Sequence, residues 1–379
     1  MYKNKVYHIT TVHPPFDVRI FHKECKTLVK AGYEVFLIAQ YDKEEIVDGI
    51  NIIPLPKVKV RFLRILFLPI KALNISLKVK ADIYHFHDSE LIPVGLILKI
   101  FKRKVIYDVH ENLPKDILFK KWIGNMFLRK LLSVILDKFE RLSAIFFDKV
   151  VCTTPKIAER FPPNKTILIR NFPVLELVKK PHLAFTKKKK PIVIYAGVLN
   201  ESRGIKNLIQ AIGLLEHKVE LWLLGYWQED RFRKECENLI GWEDTKYLGY
   251  KSLEEVYSYM KISDIGIVPL LPIYQNLESL PTKVFEYMAT GLPVIMSNFP
   301  YWLETFKDCA LFCDPNNPKD IADKIEFLLK NPEKVKELRQ NGEEFLNKNN
   351  WEEEGKKLLF VYKDLISGCN KEFFDKKIL

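Results

Sequence analysis

Cysteine is scarce in this chain, with six in 379 residues. That is too few for a disulfide scaffold. No two cysteines have C-x2-C spacing, and the nearest pair, Cys309 and Cys313, brackets an apolar Ala-Leu-Phe. Zinc-ribbon and thioredoxin-like readings are thereby excluded. No apolar run approaches the roughly 20 residues that a membrane span needs. The N-terminal MYKNKVYHIT has no apolar core of signal-peptide length. A reducing, cytoplasmic location is the expectation.

What is present is a globular composition. Hydrophobic residues make up 47% and charged residues 28% of the chain. At about 150 residues per domain, the length suggests two domains. The formal net charge is +12, from 60 Lys+Arg against 48 Asp+Glu. Such an excess favours an anionic partner: nucleic acid, an anionic membrane face or a phosphorylated substrate. It does not choose among them.

Short β-rich runs alternate with longer amphipathic stretches. Lys5–Val12, Tyr33–Gln40, Asp82–Asp88, Lys104–His110 and Lys149–Thr153 read as strands, each a compact apolar run bounded by charge or turn residues. Arg19–Lys30 and Glu90–Phe101 have helical spacing, the first stopped by Gly32. This is βαβ logic and implies a parallel sheet covered on both faces.

The pattern breaks at VKKPHLAFTKKKK, which has a proline, a basic run and no periodicity. A second series follows. Ile192–Val198, Val219–Tyr226, Lys246–Tyr250, Ile265–Leu270, Pro293–Ser297 and Leu311–Asp314 read as strands, with helices such as Gly204–Leu215 and Leu253–Met260 between them. The expected fold is α/β: two doubly wound Rossmann-like domains facing a cleft, with a helical C-terminal segment. The expected boundaries are 1–178 for the first domain, 179–190 for the linker and 191–350 for the second. Helices at 351–379 are expected to pack back on the first. Ligands of such sheets bind outside the carboxyl ends of the strands.

The most informative run is LESLPTKVFEYMATGLPVIMS, Leu277–Ser297. Pro281 suits the first position of a helix, and Gly291 its end. Val284, Phe285, Met288 and Ala289 form its buried side, while Lys283 and Glu286 share another face. Glu278 precedes the helix and gives E-x7-E. A helix N-terminus is a seat for an anion, here with a lysine in the first turn and a carboxylate on either side. That suits a nucleotide diphosphate sugar, with positive charge for the pyrophosphate and carboxylates for sugar hydroxyls. The plain alternative is a surface Lys283–Glu286 pair worth a few tenths of a kcal/mol.

A second turn, AGVLNESRG, spans Ala196–Gly204. Gly197 follows the strand and Arg203 opens the next helix, where a guanidinium can fork onto a diphosphate. A glycine with an arginine is common at any βα corner, so the turn gains weight only beside Lys283.

With these residues in view, the segment from about Tyr195 to Trp302 resembles the donor half of a GT-B glycosyltransferase of family four. The order AGVLNESRGI, YLGYKSLEEVYSYMKISDIGIVPL and then EYMATGLPVIMSN matches. The first half resembles bacterial members that build surface polysaccharides, through HPPFDVRIFHKEC, DIYHFHDSEL and VIYDVHEN. The resemblance implies transfer of a hexose-type sugar from a nucleotide-sugar donor to a glycan or lipid-phosphate-linked acceptor, normally with retention. It implies that Glu286 holds the ribose hydroxyls and that Glu278 contacts the donor sugar, beside the loop of Ser279, Leu280 and Pro281. Arg203 and Lys283 would neutralise the leaving diphosphate, with Gly197 in the same turn. Gly249 and Tyr250, with Lys251, would flank the base. Two places depart from the pattern: Val198 stands where many members have arginine, and His13-Pro14-Pro15 where many have a glycine pair.

Three histidines fall at strand ends in the first half: His85, His87 and His110. His85 and His87 share one strand face, and with Asp88 they form a possible metal site. No third ligand pair at metal spacing follows, so satisfied polar residues at a cleft edge are the expected reading. In the resembling family the histidine ending VIYDVH lies by the donor sugar and acceptor, which makes His110 the candidate catalytic group along with Glu278. His13, Asp17 and Arg19 are the acceptor-side candidates, with pairing at the core edge as the alternative for Asp17 and Arg19. Asp-x-Asp is absent from the chain. No metal and no cofactor are expected, and Arg203, Lys283 and the helix terminus must meet the leaving-group charge.

Two stretches mix basic and apolar residues. Lys57–Lys80 holds seven Lys/Arg and no acid; Lys115–Lys149, which includes Trp122 and Phe127, holds eight against four acids. They suit an anionic membrane surface or a lipid-linked acceptor, or else core helices with snorkelling lysines. Nucleic acid is not expected, because no binding motif accompanies the charge. The rival readings are a nucleotide-sugar epimerase of the same fold acting on free UDP-sugar, a metal hydrolase on His85, His87 and Asp88, and a sugar-nucleotide binder without turnover.

Overall fold

A computed structural model describes residues 4–120, 123–179, 190–273, 276–277 and 279–368. The chain divides into two compact units. The first runs to Asn171 and resumes at Glu353; the second spans Phe172–Glu352.

The first unit is built on eight strands: β1 (Lys5–Ile9), β2 (Glu34–Gln40), β3 (Glu45–Val47), β4 (Ile50–Leu55), β5 (Ile83–Phe86), β6 (Val105–Val109), β7 (Lys149–Cys152) and β8 (Thr166–Leu168). Their order is β3-β4-β2-β1-β5-β6-β7-β8, with every pairing parallel except β3 with β4. The direction of winding reverses between β1 and β5, so their carboxyl ends open the crevice where such sheets bind ligands. One face carries Tyr7, Tyr84, Phe86 and Tyr107 against Leu68, Ile92 and Leu98 from the covering helices and Phe147 from the turn before β7. The opposite face carries His8 and His85, which are register partners, and then His87 and Asp108. This polar face is covered by Val18–Cys25 and by Tyr362 of the helix Trp351–Ser367.

Strands β3, β4 and β8 were not expected. Pro54 lies within β4 and argues against a strand in the sequence, but β4 has only the short β3 beyond it. The expected helix Arg19–Lys30 is in two parts, a π-helix Val18–Cys25 followed by an α-helix Lys26–Lys30. The wider i→i+5 winding brings residues five apart to the same side. It faces Arg19 toward Glu24, whose nitrogen and oxygen are 3.1 Å apart.

The second unit has six parallel strands: β9 (Ile192–Ala196), β10 (Glu220–Leu224), β11 (Thr245–Gly249), β12 (Ile265–Val268), β13 (Val294–Ser297) and β14 (Ala310–Cys313). Their order, β11-β10-β9-β12-β13-β14, is the doubly wound 3-2-1-4-5-6 arrangement. Alternate residues of β9 enter opposite cores. Ile194 and Ala196 meet Tyr257, Val284 and Phe285; Val193 and Tyr195 meet Ile205, Leu208 and Ile325. Residues 172–178, assigned to the first domain in the sequence reading, belong here instead. Phe172 packs edge-on against Phe285 at 4.9 Å, and Val178 is buried in the same core. Of the expected linker, residues 180–189 lie outside the described residues.

Candidate active site

In the second unit the site elements converge on the carboxyl ends of β9 and β12, where the winding reverses. The helix Thr282–Ala289 forms as expected, with Pro281 one position earlier, as its N-cap. Gly291 adopts φ +75° at its end. Three contacts hold this helix and its approach. The Tyr287 hydroxyl accepts from Ala196 N at 3.0 Å, at the very end of β9. Gly266 on β12 makes room, because a Cβ there would lie 2.5 Å from the Tyr287 ring. Trp302 Nε1 donates to Ser279 O at 2.7 Å and fixes the preceding loop. Leu280 packs on the core while Ser279 is exposed.

Lys283 and Glu286 are both placed by this helix. Lys283 Nζ donates to Glu286 Oε2 at 2.6 Å, and Glu286 is only 7% exposed. The pair is therefore partly desolvated and not a surface ornament. Glu278 lies outside the described residues.

The Arg203 turn is bonded to the same place. Asn200 Oδ1 accepts from Arg203 N at 3.0 Å, and Leu271 N donates to Ser202 O at 2.9 Å. Gly204, at φ +70°, allows the approach, since a Cβ would fall 1.9 Å from Pro269 O. Arg203 is half-buried and forms no ion pair among the described residues. Gly197 follows β9, and its N donates to Leu224 O at 2.8 Å. Gly249 and Tyr250 stand at the carboxyl end of β11, the edge strand, with Tyr250 78% exposed. Helix terminus, lysine, arginine and carboxylate thus gather at one switch point. That arrangement can hold a diphosphate and sugar hydroxyls together.

In the first unit, every acceptor-side candidate lies at the carboxyl ends of β1, β5 and β6 or in contact with them. Asp17 caps the π-helix, its Oδ1 accepting from Arg19 N and Ile20 N at 2.8 and 2.9 Å. His13 lies between two carboxylates, 3.6 Å from both Asp17 Oδ2 and Asp88 Oδ1. Burial opposes a charge on His13, but Asp17, Asp88 and Glu111 together raise its pKa above the ordinary value. Asp88 is not beside the histidine pair as a ligand. Its Oδ2 accepts from Thr10 Oγ1 at 2.8 Å and from Thr11 N at 2.6 Å, and so fixes the loop after β1.

Arg19 is a buried anchor. Its Nε and Nη2 donate to the two oxygens of Asp108 at 3.1 and 3.0 Å, and its Nη1 to Ile169 O at 3.2 Å. Burial would raise the Asp108 pKa, but the Arg19 charge holds it well below the carboxylate range. From Asp108 a chain of rings extends. Asp108 Oδ2 is 3.0 Å from His110 Nε2 and 3.3 Å from His87 Nδ1. His87 Nε2 is 2.9 Å from His8 Nδ1, and Tyr362 OH bridges His8 Nε2 at 3.1 Å and His85 Nδ1 at 2.7 Å. Burial lowers His8 and His85 well below their usual value and His87 to about 4, despite Asp108 beside it. His110, with its side chain 15% exposed, is the member open to solvent.

Comparison with known proteins identifies the family and the fold. Residues 18–165 match the family described as Glycosyltransferase Family 4, and residues 180–345 match Glycosyl transferases group 1. The chain is a family-four glycosyltransferase. The glycosyltransferase is 27% identical over 226 residues to an uncharacterized glycosyltransferase of Methanocaldococcus jannaschii, covering 58% of this chain and 60% of that one. It is 24% identical to one of Haemophilus influenzae, covering 83% and 87%. An O-antigen biosynthesis glycosyltransferase of Escherichia coli, WclY, is 30% identical over 35% of this chain and 36% of its own. Among solved structures, sucrose-phosphate synthase of Thermosynechococcus elongatus superposes with a TM-score of 0.77 at 19% identity, covering 97% of this chain and all of that one. Anabaena HepE in complex with UDP and glucose gives 0.72 at 13% identity, covering 95% and 100%. These likenesses show the GT-B fold.

Sequence reasoning missed His8, Glu24, Asp108 and Tyr362 in this glycosyltransferase. Asp108 had a signal, because it shares the period-two face of His110. Glu24 and Tyr362 had none, since the π-helix and the return of the C-terminal helix leave no periodic trace, and His8 lies in an expected strand whose pairing partner the sequence does not name.

Proposed function

We propose that the enzyme transfers a hexose-type sugar from a uridine diphosphate sugar to a glycan or lipid-phosphate-linked acceptor in surface-polysaccharide synthesis, with retention at the anomeric carbon. The observation that carries the reading is the junction of the Thr282–Ala289 helix with the Arg203 turn at the switch point of the second sheet. Lys283, Arg203 and the first N–H groups of that helix meet the diphosphate charge, without a bridging metal. Glu286 binds the ribose hydroxyls, and Glu278 the donor sugar. The UDP-bound neighbour and the O-antigen relative support the donor and pathway classes. His110 is the candidate polar group at the reacting sugar, held against Asp108, which Arg19 holds in turn.

A surface of the first unit supports a membrane-bound acceptor. No helix among the described residues is long and apolar enough to cross a bilayer. The helices Arg61–Lys78 and Met126–Ala144 nevertheless expose Phe62, Phe67, Ile70, Phe127, Leu131 and Ile135. Lys71 and Lys130 are exposed along them, and Lys59 just before the first. Apolar residues edged by lysine suit the interface of an anionic bilayer. Arg64 is not part of this charge, because it is held by Glu90 at 3.0 and 3.2 Å.

A thermal-shift screen against UDP-, GDP- and dTDP-sugars tests the donor. Product analysis with and without a lipid-phosphate acceptor tests the reaction. Stabilisation by a UDP-sugar and turnover that needs the acceptor are expected. Conversion of free UDP-sugar to its epimer without acceptor would support the epimerase reading instead.

A further inference from the structure

The polar face of the first sheet holds a group that the transferase reading does not use. His8, Glu24, His85 and His87 are all buried, and each offers one ligand atom within 4.8 Å of the others. They come from β1, the π-helix, and β5 with its end. We propose that these four residues bind a divalent transition-metal ion, with zinc first by ligand chemistry, in a closed site of three imidazoles and one carboxylate.

Two observations point into the site. Neither Glu24 oxygen accepts a hydrogen bond, although the side chain is wholly buried, and His85 Nε2 also lacks a partner. A buried polar atom without a partner is costly. The Arg19 charge beside Glu24 Oε1, 3.1 Å away, leaves Oε2 aimed at His8 Nδ1 and His87 Nε2, at 3.8 and 3.9 Å. No choice of tautomer satisfies His85: with Nδ1 engaged by Tyr362, Nε2 holds either a proton without an acceptor or a lone pair without a donor. An ion held by Glu24 Oε2 and His85 Nε2 gives both of these atoms a partner, while Oε1 keeps its ion pair with Arg19.

The outer contacts match those of bound imidazoles. Metal-ligating histidines hold their other ring nitrogen against an oxygen. Here His87 Nδ1 faces Asp108, while His8 Nε2 and His85 Nδ1 face the Tyr362 hydroxyl. Tetrahedral ligands at about 2.0–2.1 Å from zinc stand roughly 3.3 Å apart. Among His8, His87 and Glu24 the observed 2.9, 3.8 and 3.9 Å approach that with sub-ångström shifts, and His85 joins them with all four ligand atoms within 4.8 Å of one another. The site is separate from the diphosphate seat and ties strand, π-helix and C-terminal helix together.

Metal analysis of the full chain, expressed with zinc and dialysed against metal-free buffer, should find about one equivalent retained per chain. Glu24→Gln and His85→Gln should each lose most of it. His217→Gln, in the exposed Glu216–His217–Glu326 group, should lose none. Cobalt(II) added to stripped wild-type protein should give the visible absorption of a tetrahedral ion and raise the melting temperature, a readout that does not depend on the variants folding. Wild-type protein without retained metal, without a cobalt spectrum and without a thermal shift would overturn the proposal; Glu24 then keeps a proton in place of the ion.

Discussion

Arg19 and Asp108 are 89 positions apart in sequence and meet through two parallel hydrogen bonds, both side chains buried. This pair joins the first helix to the end of β6, and it sets the charge under His87 and His110. Breaking a buried charge pair costs about 3–5 kcal/mol, and without Asp108 the Arg19 charge is left to Glu24 and Ile169 O. Asp108→Asn should therefore lower the stability of the first unit by about 3 kcal/mol or more in denaturant melts. A loss under about 1 kcal/mol would show that Arg19 is satisfied without Asp108.

His13 should keep its proton above the ordinary histidine range. Its folded pKa is raised, so its contribution to stability is fully present below about pH 6.5 and is lost as pH rises through the folded value. An NMR titration of His13 should show a midpoint above that of a free histidine. Asp17→Asn should bring the midpoint down. An unshifted midpoint in the wild type would remove the Asp17–His13–Asp88 arrangement as an electrostatic unit.

The membrane surface makes a prediction of its own. Each basic residue near an anionic bilayer adds about 1 kcal/mol, screened over a Debye length of about 8 Å at physiological ionic strength. Flotation should find the enzyme on phosphatidylglycerol vesicles at low salt and release it at high salt. Lys59→Gln with Lys71→Gln should weaken this, and Phe62→Ser with Phe67→Ser should weaken it further, with nucleotide binding unchanged. Equal binding to neutral and anionic vesicles would contradict the reading.

Most of the fold was legible because buried parallel strands are short apolar runs between charged helices, as in VIYDV and VIMS. The placement of the second-half candidate residues was legible because they are close in sequence: Pro281, Lys283, Glu286 and Gly291 belong to one helix and its ends. The first-half network was not. Its members are joined across 277 positions from His85 to Tyr362, and through a π-helix whose five-residue spacing a 3.6-residue period hides. In the sequence, the His85–His87 spacing with Asp88 reads as satisfied polar residues, with a metal site as the alternative, and the partners of these histidines lie elsewhere in the chain. Asp88 is engaged by the loop at Thr10 and Thr11, whereas His8 reaches the pair as the register partner of His85.

In the proposed donor site, a nucleotide diphosphate sugar sits at the N-terminus of the helix Thr282–Ala289, with Glu286 on the ribose. Calorimetric titration of UDP into the wild type and Glu286→Gln tests it most directly. A charge-assisted hydrogen bond is worth roughly 1.5–3 kcal/mol, and about 1.4 kcal/mol is tenfold in affinity. One UDP site per chain and at least about tenfold weaker binding in the variant are expected. Equal affinity in the two proteins would contradict it.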